Sequence, residues 1–247
     1  MPMPVLLAAL AFATIAGSPA AAFAQPRTAA PPARQAVAPD AGAAPAGTVC
    51  EGLPVRVAAP PAGDPRDVAD VCEGARHALA FFGGLGLQAI DGLAIEIAAQ
   101  LPAAAGPTAA GCFVEARKRI YLVPFRTFIR HKTWFGIPIT RDLYRSLATH
   151  ESAHALAGCH FAVADPTIQA KEYIAYVATF SMMPPAVRER ALRALPGSGF
   201  DSEARITPLL YLFDPMRFGA ESYRHFRKEG NGEAFVRKIL AGGALRD

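Results

Sequence analysis

His150-Glu151-Ser152-Ala153-His154 is the stretch on which the reading of this chain turns. Residues four apart on an α-helix share a face, so both imidazoles can reach one Zn²⁺ at ~2.0–2.1 Å. Glu151, beside the first histidine, projects to the edge of that face, where it can act as a general base on water that the metal activates. The flanks predict a helix over residues 141–157. Thr140 is an N-cap, Gly158 a C′ residue, and neither Pro nor Gly lies between. Leu143 and Leu147 fall on the histidines' face and turn it inward. Two buried imidazoles and a carboxylate need partners, and a metal ion meets that need.

A catalytic zinc usually takes three protein ligands and leaves a position for water. Glu172 is the favoured third ligand. It lies eighteen residues after His154 on a helix expected over residues 166–182, with Asp165 as cap and Pro166 in its first turn. Apart from Lys171, that helix carries no other charge, and a lone carboxylate on a largely buried helix is costly unless something positive meets it. His160 competes through the spacing HExxH-x5-H, near the HExxHxxGxxH pattern, but Ala157 stands where that pattern has its turning glycine. Cys159, five residues past His154, is a weaker third candidate.

Elements upstream supply the scaffold. Residues 53–58 and 93–97 read as strands and residues 65–82 as an amphipathic helix ended by Gly83-Gly84-Leu85-Gly86. Residues 112–115 and 119–123 read as a hairpin around 116–118, followed by a long aromatic connection over 125–139. Downstream, residues 166–182, 186–195, 202–213, 219–229 and 232–241 all read as helices. Strands first and helices later argue for an α+β domain.

With those residues in place, the stretch 143–179 resembles the gluzincin, peptidase-MA-like branch of the zincin metallopeptidases. There HExxH is followed, on the next helix, by E-G-[LI]-A-E-Y, whose first Glu is the third ligand. Here the segment reads Glu172-Tyr173-Ile174-Ala175-Tyr176-Val177. The Glu and the Ile-Ala pair match; the Gly and the second Glu do not. The resemblance implies a zincin-like fold: a small N-terminal β-sheet with one helix, the HExxH helix, then a mainly helical C-terminal half. It also implies Zn²⁺ held by His150, His154 and Glu172, Glu151 as general base, and a peptide or protein substrate. Tyr176 replaces the second acid, so a carboxylate that could orient a ligating histidine falls to Asp142 or Asp165. Tyr223, His225, Tyr173 and Tyr176 are the expected candidates to stabilise a developing oxyanion. Two alternatives remain open: a non-catalytic zincin-fold metal-binding protein, and an envelope interaction protein whose HExxH is accidental.

Composition sets the surroundings. In this chain of 247 residues, residues 1–24 read as an export signal, with an apolar core at 5–16 and a small-x-small site at Ala22-Phe23-Ala24, although no basic residue precedes the core. Residues 25–47 are Pro- and Ala-rich and read as a disordered tether, leaving residues 48–247 as the folded domain. The expected location is periplasmic or secreted, with no stable membrane insertion after signal cleavage. Four cysteines then favour two disulfides, expected as Cys50–Cys72 and Cys112–Cys159. The net charge of +4 comes from scattered arginines without interleaved aromatics, which argues against nucleic-acid binding.

Overall fold

Alternation of Val55 with Val57, and of Leu93, Ile95 and Ile97, buries one side of each strand. A computed structural model, which describes residues 47–88, 92–106 and 108–246, places these strands in the middle of one mixed sheet. The expected signal segment, and the tether apart from Gly47, lie outside the described residues. The strands are β1 (Thr48–Val49), β2 (Val55–Ala58), β3 (Leu93–Ile97), β4 (Gly111–Val114) and β5 (Arg119–Leu122), in the order β1-β2-β3-β5-β4. β2, β3 and β5 run parallel, and the edge strands β1 and β4 are antiparallel to their neighbours. Parallel neighbours need a crossover; α1 (Pro65–Gly84) supplies it between β2 and β3. The β4–β5 hairpin turns without Gly or Asn because Lys118 takes the left-handed conformation, φ 47°.

The α+β class is therefore observed, with eight α-helices among the described residues. α1 begins at Pro65 behind Asp64, whose side chain accepts from Arg66 N. It runs two residues past the expected end at 82, and the break falls at Gly86, φ 69°. The connection 125–139 is not shapeless. It forms α2 (Phe125–Phe128) and a two-stranded ribbon of β6 (Thr133–Trp134) and β7 (Ile137–Pro138), closed by positive φ at Phe135 and Gly136. The Phe135 side chain is fully buried, 4.6 Å from the ring of Phe180.

α3 (Arg141–His160) is the central helix, capped by Thr140 as expected. It continues three residues beyond 157, because Gly158 keeps a helical backbone and the chain turns extended only at Phe161. α4 (Ile168–Met182) is capped by Thr167, whose hydroxyl accepts from Ala170 N; the expected cap, Asp165, is exposed. α5 (Pro185–Ala194) follows. The helix expected over 202–213 is broken into a 3₁₀ turn at Glu203–Arg205 and a short α6 (Pro208–Phe213), since the residue before a proline is pushed out of the helical region. α7 (Pro215–Phe226) starts earlier than expected, capped by Asp214, and α8 (Gly232–Leu240) closes the domain. No helix among the described residues is long and apolar enough to cross a membrane.

The Cys50–Cys72 disulfide is present and ties the β1–β2 turn to α1. Cys112 and Cys159 are free, which corrects the second expected pairing. Cys112 sits on β4 near Glu151. Although Phe113 packs toward Gly158, Cys112 lines the cleft beside Glu151 whereas Cys159 is exposed on the last turn of α3.

α1 and α3 are clamped by an ion network the sequence reading did not anticipate. Arg141 reaches Asp64 at 2.8 Å, Asp67 at 2.6 Å and Asp70 at 2.8 Å, and its guanidinium lies 4.1 Å over the Phe125 ring. Arg145 bridges Asp70 at 2.7 Å and also pairs with Asp142. Asp67 is almost fully buried, so removing its cation strands a charge in the interior. Arg141→Ala is expected to cost about 2 kcal/mol, below the full buried-pair penalty because the guanidinium keeps partial solvent access. An unchanged denaturant midpoint would show the network to be ornamental.

Candidate metal centre

Packing of α4 against α3 brings the predicted ligands to one point. His150 and His154 share a face of α3, and Glu172 enters from the second turn of α4. The ligand atoms of all three lie within 4.8 Å of one another. His150 Nε2 is 3.1 Å from His154 Nε2 and 3.5 Å from Glu172 Oε2, while His154 Nε2 is 3.5 Å from Glu172 Oε1. The group is buried on α3 at His150 and slightly open at His154. Two imidazole nitrogens and one carboxylate oxygen are a usual donor set for zinc.

The residues fit a cation for a second reason. Glu172 Oε2 is buried and makes no hydrogen bond, an arrangement that costs free energy unless positive charge stands opposite. Burial opposes charge on each member, yet Glu172 outweighs it at His150 and lifts that imidazole above its usual value. At His154 burial wins and pushes the ring down to about 4. The two histidines overcome burial at Glu172 and hold its carboxyl below the ordinary range. Without a cation the triad thus has one favoured home for positive charge, at His150 beside Glu172.

Glu151 is buried next to this group. Burial pushes its carboxyl up to about 7, with His150 opposing and Glu172 adding to the rise. The side chain lies against Gly111 at the start of β4: a Cβ there would stand 2.8 Å from Glu151 Cγ and 2.8 Å from Leu122 Cδ2. Cys112, the next residue, is itself pushed up to about 11 by burial and by Glu151. These groups line a cleft of about 390 Å³ whose walls include β4, Phe161, Ile168, Tyr176 and Tyr211. A larger cavity, about 640 Å³, lies by Asp64, Asp67 and Arg141, whose charges are already paired with one another.

His160 is not at the centre. Six residues past His154 it has rotated by roughly 240° around the helix, and its Nε2 meets Gln88 O at 3.0 Å while its ring stacks on Phe82. Cys159 is exposed on the same last turn. Asp142 is committed to Arg145 and Asp165 is exposed, so neither carboxylate orients a histidine. Instead, Thr179 Oγ1 approaches His150 Nδ1 at 3.3 Å, and the Tyr176 ring packs 4.6 Å from the imidazole. Tyr176 is held by Gly219 of α7, where a Cβ would come within 2.5 Å of its ring.

Of the expected oxyanion donors, only Tyr176 lines the cleft. Tyr173 and His225 are bonded to each other at 2.8 Å, and Tyr223 stacks on Phe180 with Arg188 over its ring. The sequence reading missed Tyr211. It comes from α6, lines the cleft and faces the Glu172 carboxylate; burial first, then Glu172, push its hydroxyl well above the usual range. Flanked by Leu210 and Leu212, it reads in sequence as one more apolar position.

A family model described as "Family of unknown function (DUF6639)" matches residues 55–247, so the chain belongs to that family. No curated protein and no solved structure matches.

Proposed function

We propose that this member of the DUF6639 family hydrolyses peptide bonds with a zinc ion held by His150, His154 and Glu172. The observation that carries the reading is the convergence of those three ligand atoms within 4.8 Å, with Glu151 buried in the same cleft. Zinc bound there would supply a Lewis acid that polarises a carbonyl and makes water acidic near neutral pH.

The chain's own residues account for the rest. Glu151 accepts the proton of the attacking water on its carboxylate and returns it to the leaving amine. A carboxyl raised to about 7 by burial suits that exchange near neutral pH, where acceptor and donor forms are both populated. Tyr211, whose hydroxyl already faces the carboxylate of Glu172, is placed to donate to a carbonyl oxygen that carries growing negative charge.

A peptide substrate is favoured by β4. It pairs only with β5 among the described strands, and its residues Gly111, Cys112 and Phe113 border the cleft. An extended chain can add to such an edge through main-chain hydrogen bonds. The zincin resemblance points to the same substrate class. The Cys50–Cys72 disulfide supports an oxidising compartment, hence the periplasm or the exterior.

The test is cleavage of a mixed peptide library by the zinc-loaded chain, read by mass spectrometry with and without a chelator. New termini that vanish with chelator and return with zinc are expected. Absence of cleavage across the library with zinc stoichiometrically bound would favour a metal-binding protein without this chemistry.

A further inference from the structure

Resting on the zinc reading above, we infer that Thr179 is a positioning residue that sets the tautomer of His150 and thereby aims the His150 Nε2 lone pair at the centre. Thr179 lies seven residues, two helical turns, past Glu172 and so on the same face of α4. It is fully buried. Its hydroxyl has two neighbours: Ala175 O at 2.7 Å and His150 Nδ1 at 3.3 Å.

Counting hydrogens decides the roles. A hydroxyl carries one proton. A carbonyl oxygen can only accept, and it is the closer neighbour, so the Thr179 proton goes to Ala175 O. Toward His150 the hydroxyl oxygen is then an acceptor, which requires a proton on Nδ1. A neutral imidazole has one N–H, so Nε2 is left with its lone pair. Nε2 is the atom 3.1 Å from His154 Nε2 and 3.5 Å from Glu172 Oε2. An imidazolium also keeps Nδ1–H, so the contact survives in either charge state. The Tyr176 ring, 4.6 Å away, packs against the imidazole and holds its plane. His154 has no comparable partner on Nδ1 among the described residues. Its one hydrogen-bond contact is the Nε2 approach to His150. His150 is thus the pre-aimed ligand and His154 the adaptable one. A hydroxyl here does the orienting work that carboxylates and carbonyls do at other metal-bound histidines.

The experiment compares the full chain with Thr179→Val, which keeps the shape and removes the acceptor, and with Thr179→Ser, which keeps the hydroxyl. Two quantities are read: zinc affinity by competition with a chelator of known affinity, and the His150 imidazole nitrogen shifts of the metal-free chain at a pH where the ring is neutral. Thr179→Val should weaken zinc about 10–100-fold and move the His150 proton away from Nδ1, and Thr179→Ser should restore both. Equal zinc affinity in the parent and Thr179→Val would overturn the inference, as would a parent His150 protonated on Nε2. A Thr179→Val chain that loses zinc yet keeps Nδ1–H would overturn it too, since packing would then be the cause. If the parent itself binds no zinc, the proposed function fails, and the nitrogen shifts alone still decide the role of Thr179.

Discussion

Glu151→Gln is expected to lower peptide hydrolysis by about 10²–10⁴-fold while the chain keeps its zinc. The substitution preserves the shape of the side chain, which lies in the space that Gly111 leaves open, and removes only the ability to take a proton. Glu151 is not among the three converging ligand atoms, so metal content should not follow activity. That separation distinguishes a general base from a ligand. A Glu151→Gln chain that cleaves peptides at the parent rate would remove Glu151 from the proposed mechanism. One that loses zinc would make it a ligand instead.

Gly74→Ala is expected to destabilise the domain by about 3 kcal/mol, against the sign of helix propensity, which favours Ala over Gly by up to ~1 kcal/mol. α1 and α3 cross at this glycine. A Cβ there would stand 2.5 Å from Ala148 Cβ and 3.0 Å from Thr149 N, and would overlap the carbonyl of Arg145. None of these is the end of a flexible side chain, so the helices would have to separate. Separation also breaks the bond from Thr149 Oγ1 to Gly74 O, now 3.1 Å, one residue before His150. In a domain of this size 1 kcal/mol is worth ~2–4 °C, so the melting midpoint should fall by roughly 10 °C. A midpoint that rises would mean that propensity outweighs the crossing.

The sequence made the scaffold readable where local rules act alone. β3 carries strict alternation and was placed to the residue, and Thr140 caps α3 as a Thr before an amphipathic run should. Residues 150, 154 and 172 were legible as a group because a four-residue spacing and one buried acid are local signals. What stayed hidden depends on contacts between distant segments. The turn at Phe135-Gly136 lacks the usual Asn-Gly signature, and a buried Phe135 accepts positive φ because its ring fills the space beside Phe180. The disulfide Cys112–Cys159 failed for the same kind of reason: spacing cannot tell that Cys112 turns into the cleft beside Glu151 while Cys159 lies exposed on the last turn of α3. Thr179 and Tyr211 carried no motif at all. A threonine inside a helix and a tyrosine among leucines gain meaning only once α4 and α6 are set against α3.

Zinc per chain, measured by elemental mass spectrometry on the purified protein beside Glu172→Ala and His160→Ala, tests the central claim most directly. The account predicts close to one zinc in the parent and in His160→Ala, whose ring is occupied with Gln88 and Phe82, and loss of zinc in Glu172→Ala. Zinc retained in Glu172→Ala, or absent from the reconstituted parent, would contradict it.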